Sequence, residues 1–197
     1  MDRAGLRRKL LKAQAEAGDI VLLFGDESEA LTHPYLAHVW AKKGANLRIP
    51  APGQSAKVAM LGVLDWARRD LIVRTSRTKR SSDFLALLEE VDRRYGPKLG
   101  VALTPIVRVL DNGPIHTSKA SRAALAERAH WLTVEWLPKY APELNDIEGV
   151  WRDLKRHHLA HQTFHGPDDL DRAVQDAVAK LNAERHGHPW DKQRIAA

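Results

Sequence analysis

Cysteine is absent from this 197-residue chain, which rules out disulfides and thiolate metal sites and leaves Asp, Glu and His as metal ligands. Long apolar runs are absent too: none approaches the roughly 20 residues a membrane-spanning helix needs. The first residues, MDRAGLRRKLLKAQAEAGD, are basic but lack the apolar core and small-residue cleavage site of a secretion signal. The expectation is a soluble cytosolic protein with no membrane partner. Neither Gly (12) nor Pro (10) is in excess, and no low-complexity segment or internal repeat interrupts the chain. With 44% apolar residues, it is long enough to bury one full core.

Negative charge is the minority sign. The net charge is +6, which favours a polyanionic partner through counterion release. From Arg68 to Arg80 (RRDLIVRTSRTKR) basic residues dominate, and Lys42, Lys43, Arg48 and Lys57 precede them. A nucleic-acid contact and a solvated, charged sheet edge account for that stretch equally well.

Hydrophobic periodicity predicts a helix over 3–17 closed by Gly18, then a buried strand from Ile20 to Phe24 that ends in Gly25-Asp26-Glu27. Trp40 to Gly44 leads to a turn. Lys57–Trp66 and Leu71–Thr75 read as two further strands of an antiparallel meander. The period then changes. Phe84, Leu87, Leu88 and Val91 define a helix capped by Ser82 or Asp83, and Pro105–Leu110 is a strand ending at Asp111. A helix over 117–129, a strand over Leu132–Trp136, a helix from Asn145 to about His161 and another over 168–184 complete the order. The fold class expected is α/β, with a mixed five-stranded sheet of antiparallel meander plus parallel strands, flanked by helices.

Asp26 and Asp111 each follow a continuous apolar run, so their strands are expected to be central and adjacent. Carboxylates at the ends of such strands converge in one crevice. Like charges held together need a cation, and oxygen ligands without sulfur suit Mg²⁺ or Mn²⁺. Two such ions could bind the attacking and leaving oxygens of a phosphodiester. A third acid comes from PKYAPELNDIEGVWRDLKR, where Pro138 and Pro142 hold the chain extended and Asn145 is expected to cap a helix. Ile147, Val150, Trp151 and Leu154 form the core-facing stripe of that helix, with Glu148 on its flank near Arg152 and Lys155. Each acid also has a plainer reading. Asp26 and Asp111-Asn112-Gly113-Pro114 suit turns, and Glu148 stands where a capping-box acid belongs.

FGDES, Trp40-x-x-x-Gly44, VLDNGPIHTSK and LPKYAPELNDIEGVWRDLKR together resemble the DDE endonuclease domain of mariner-like bacterial insertion-sequence transposases. The resemblance spans roughly residues 20–165, and the last motif is its most specific part. It implies an RNase H-like fold, with Asp26, Asp111 and Glu148 as the metal-binding acids. Asn112, His116, Asn145 and Trp151 match surrounding motif positions, and with Arg152 and Lys155 they are expected to support the acids or position DNA. Residues 1–18 are then a basic helix or linker, 19–165 the catalytic domain, and 166–197 a helix and polar tail packed on it. The implied activity is DNA cleavage and strand transfer at transposon ends. It would use two Mg²⁺ or Mn²⁺ ions, in a bacterial cytoplasm and on the nucleoid when DNA is bound. Expected partners are double-stranded DNA, both transposon ends and target, with a homodimer as one compatible assembly. A nuclease or resolvase that only hydrolyses is the rival enzyme. An inactive remnant that binds DNA or a partner transposase is the rival of another class.

Two positions depart from the family's pattern. Residue 146 is Asp where the family usually has Pro, a change the helix dipole favours. Only one short helix precedes Ile20, where family members carry helix-turn-helix domains, so cutting chemistry rather than end recognition is expected of this chain. His157, His158, His161 and His165 are expected to be polar residues at a helix end rather than ligands. His116 is expected to steady the site or the substrate rather than act as a base. Trp40, Trp66, Trp131, Trp136 and Trp151 are expected to anchor core or strands, and Trp190 to be exposed.

Overall fold

The first strand runs further than its apolar stretch suggests. In the computed structural model, which describes residues 3–51 and 53–187, β1 is Val21–Leu31. It follows α1 (Arg3–Ala17) and the left-handed Gly18, whose φ of 82° a side chain would resist. Then come β2 (Lys57–Asp65), β3 (Asp70–Ser76), α2 (Ser81–Tyr95) and β4 (Ile106–Leu110). Next are α3 (Pro114–Thr117), α4 (Lys119–Glu127), β5 (Leu132–Trp136), α5 (Ile147–Asp153) and α6 (Pro167–Gly187).

These strands form one sheet in the order β3-β2-β1-β4-β5. The meander β1–β3 is antiparallel, and β4 and β5 run parallel to β1. Adjacent residues on each strand face opposite layers. Leu22, Phe24, Met60, Val107 and Val109 meet Leu11, Ile147, Trp151, Val174 and Leu181 from α1, α5 and α6. On the other face Leu23, Leu61, Val63, Ile106 and Leu110 meet Phe84, Leu87, Leu88 and Val91 of α2 and Leu125 of α4.

One close approach sets the position of α5. A Cβ on Gly62 would lie 2.4 Å from the Trp151 ring, so the missing side chain lets the indole rest on β2. Trp151 is therefore buried in the core, where it holds α5 to the sheet and has no exposure for DNA.

Several elements differ from the sequence pattern. Asp26 does not end its strand, because β1 keeps pairing with β2 as far as Leu31↔Lys57 after its partnership with β4 stops at Phe24↔Val109. The helix expected over 117–129 is α4, which starts at Lys119 and ends at Glu127, with the Ser118 side chain accepting the Ser121 N–H at 3.1 Å as its cap; the short helix α3 before it was not expected. Asp83 does cap α2, from inside its first turn: it accepts the Arg80 N–H at 2.8 Å. The last part of the helix expected to reach His161 is one π turn, Leu154–His158, closed by Leu159 N–H to Leu154 O at 3.0 Å. Trp40 anchors nothing; it is fully exposed in the long β1–β2 connection, just before a turn in which Ala45 N–H donates to Lys42 O. Trp190 lies outside the described residues.

Much of the basic stretch is spent within the molecule. Arg77 pairs with Asp168, Lys79 with Glu29 at 3.1 Å and Arg68 with Asp65 at 3.9 Å. The stretch follows the edge strand β3, whose Leu71 backbone is paired in both directions by the Asn182 side chain of α6. That contact covers part of the edge, and the charges are the sort that deter strand addition.

Candidate active site

The sheet forks where β1 loses β4, and the acids gather at that fork. The β1–β4 register advances from Val21↔Ile106 to Phe24↔Val109, and the same offset carries Asp26 to Asp111. Asp-Asn-Gly-Pro cannot continue a strand, so β4 stops and leaves Asp111 at the open end. Asp26, Asp111 and Glu148 line one cavity of about 450 Å³, together with Asn112, Asn145 and the segment from Leu137 to Pro142. The structure brings all three sequence-predicted acids together.

Their electrostatics differ. Burial, then the charges of Glu148, Glu27 and Asp111, push the Asp26 carboxyl up to about 8. Asp111 is held below the usual carboxylate range, first by its hydrogen bond with His116 and also by the Gly113 N–H, at 2.6 and 2.9 Å. Three carboxylates, no sulfur and an Asp26 carboxyl raised by burial and then by its acidic neighbours make a donor set that fits a hard divalent cation.

Asn145 does not cap α5. That place falls to Asp146, while the buried Asn145 side chain donates to Gly25 O at 3.1 Å. The Asn amide thus pins the start of α5 to the strand that carries Asp26, a task that needs a donor facing β1. Asn112 plays a similar part: its amide donates to Leu137 O at 2.6 Å and joins the ends of β4 and β5. Lys155 is half-buried and donates to Ser28 at 2.7 Å. Burial lowers its pKa, against the pull of Glu148, Glu29 and Asp26. Arg152 is exposed. Tyr140, in the left-handed region at φ 58°, stands almost fully exposed at the rim of the cavity.

Glu27 stands outside the three expected acids. One residue beyond Asp26 on a strand, it faces the opposite layer, where His116 is buried edge-on against the Phe84 ring. His116 Nε2 lies 3.5 Å from Glu27, and its Nδ1 reaches Asp111. Among the described residues, Glu27, His116 and Asp111 are thus the group whose ligand atoms all lie within 4.8 Å of one another, while Asp26, Asp111 and Glu148 are spread more widely around the cavity. The period-2 alternation of Asp26-Glu27 was the signal. Burial, with Asp111 adding to it, raises the Glu27 carboxyl, and His116 opposes the rise. Of the histidines beyond α5, His158 lies 3.5 Å from Glu184.

Sheet order, strand directions and the acid crevice at the fork define an RNase H-like α/β domain. Residues 21–171, most of the chain, match the family model described as DDE superfamily endonuclease, and the chain belongs to that family. Over 133 residues it is 25% identical to an uncharacterized 39 kDa protein of insertion element IS630 from Shigella sonnei, spanning 68% of this chain but 37% of that protein. The Mos1 transposase paired-end complex with the left transposon end shares the fold at TM-score 0.58 and 18% identity, over 95% of this chain and 61% of that one. The Mos1 mariner paired end complex with Mn gives 0.56 and 18%, over 92% and 59%.

Proposed function

We propose that this chain is the catalytic domain of a DNA transposase that cuts a phosphodiester at a transposon end and joins the freed 3′-hydroxyl to target DNA. The observation that carries this is the convergence of Asp26, Asp111 and Glu148 on one open cavity, with the Asp26 carboxyl raised by burial and then by the other acids. The likeness to Mos1 complexes that contain Mn or a transposon end supports it. Asp26, Asp111 and Glu148 would hold two Mg²⁺ or Mn²⁺ ions, which supply in-line activation of a phosphodiester. The remaining residues contribute placement. His116 steadies the Asp111 carboxylate, Asn145 ties the start of α5 to β1, Asn112 ties the end of β4 to that of β5, and Trp151 seats α5. Arg152 and Lys155 present positive charge beside the crevice for a phosphate backbone.

Residues 19–165 form the catalytic unit in this reading, with 1–18 and 166–197 as flanking parts, of which the described helices α1 and α6 pack on it. The partner is double-stranded DNA, both ends and target, held by a homodimer in the bacterial cytoplasm. The test uses a supercoiled plasmid and a pre-cut end duplex with Mg²⁺ or Mn²⁺. Nicking together with joining of the duplex to target supports transposition. Nicking without joining leaves a hydrolytic nuclease, and neither reaction leaves a DNA-binding remnant.

A further inference from the structure

Away from the crevice, the start of α5 is gripped by a helix that lies ahead of the family-matched residues 21–171. Asp146 Oδ1 lies 2.6 Å from Arg8 Nη2, and its Oδ2 lies 2.5 Å from Lys12 Nζ. Its carboxylate is 14% exposed, against 32% and 23% for the two cations, so water screens these pairs less than open surface ones. Arg8 also donates to Glu143 O at 3.1 Å, and the Lys12 ammonium sits 5.1 Å from the Trp66 ring centroid. Arg7 reaches Glu135 of β5 at 3.1 Å. Leu11 and Ala15 anchor α1 in the same core as Leu144, Ile147 and Val150.

The Asp146 side chain makes no capping bond to its own helix. Its backbone is already helical, at φ −63° and ψ −22°, and its carboxylate faces outward to α1. Asp146 also stands two residues before Glu148, at the start of α5. We propose that Asp146 is a positioning residue for Glu148, and that α1 acts through it as a strap by means of Arg8 and Lys12. This rests on the reading of Glu148 as a metal-holding acid. Where a proline would set the helix start by its fixed φ, this chain sets it by charge.

The sign of the response separates the strap from a general field effect. Mn²⁺ affinity is measured by the electron paramagnetic resonance of free ion, with a melting curve for each protein. By charge alone, Asp146→Asn should weaken Mn²⁺ binding, and Arg8→Gln with Lys12→Gln should tighten it. The strap predicts that both weaken it, by about tenfold as for other residues that orient ligands. It also predicts that combining all three changes adds nothing further, because one contact is removed. Arg8→Lys with Lys12→Arg, which keeps both cations, should retain affinity. Glu148→Gln is run alongside. If it weakens Mn²⁺ binding while Arg8→Gln with Lys12→Gln leaves it unchanged or tightens it, the strap alone is overturned. If Glu148→Gln itself binds like wild type, the reading of Glu148 fails and takes the strap with it.

Discussion

Gly62→Ala is a one-carbon change in β2 that should reach the crevice through α5. The added Cβ would lie 2.4 Å from Trp151 Cη2, 2.5 Å from Cζ2 and 3.2 Å from Ile147 Cδ1. Carbon atoms rest at about 3.5–4.0 Å, so the indole must retreat by about 1 Å or more. Trp151 is 2% exposed and Ile147 is fully buried, so neither has an open side to retreat into. Overpacking of this kind costs about 1–3 kcal/mol. Glu148 shares the helix and moves with it, and a misplacement of about 1 Å can cost about 100-fold in rate. The assay pairs a urea midpoint with the rate of Mn²⁺-dependent plasmid nicking. Trp151→Phe in the Gly62→Ala background shortens the ring and should recover part of the rate. A Gly62→Ala protein as stable and as fast as wild type would refute the packing argument.

Two further outcomes follow from the site. In metal-free buffer the folded chain keeps a proton on Asp26 up to about pH 8, which the unfolded chain loses in the ordinary carboxylate range. Stability therefore falls as pH rises across that window, and the advantage of Asp26→Asn in melting temperature should grow from pH 5 to pH 8; an advantage that is constant or shrinking with pH contradicts this. Adding Mg²⁺ should reverse the order, raising wild type more than the variant. Asn145→Ala removes the bond to Gly25 O and should cost about 1–2 kcal/mol in a denaturant titration, since it leaves a buried carbonyl unpaired. A loss of a few tenths would mean that the start of α5 is held elsewhere.

The sheet was legible because its strands are short apolar runs bounded by turn signals, and the order of elements left few topologies. Asp26 and Asp111 were legible as neighbours for the same reason: both follow buried runs. What the sequence did not show were contacts made between segments far apart in the chain. Asn145 looks like a cap by type and place, yet Gly25 O, 120 residues away, claims its amide. The extent of β1 was hidden because its second half, Asp26 to Glu29, is polar and held by β2 rather than by hydrophobicity. The short helix α3 was hidden because Asp111-Asn112-Gly113-Pro114 reads as a turn, and Ser118 caps α4 immediately after it. Strand alternation puts Glu27 on the face opposite Asp26, but only the fold brings His116 beside it.

Glu148→Gln tests the central claim most directly, through Mn²⁺-dependent cleavage of a supercoiled plasmid beside a melting curve. As one of three metal-holding acids, Glu148 supplies charge that Gln lacks. Cleavage should then fall by orders of magnitude while the metal-free fold stays as stable or gains slightly, because the repulsion with Asp26 is relieved. As a helix-capping acid it would be replaced by Gln with little change in either quantity. A Glu148→Gln protein that cuts as well as wild type would contradict the account.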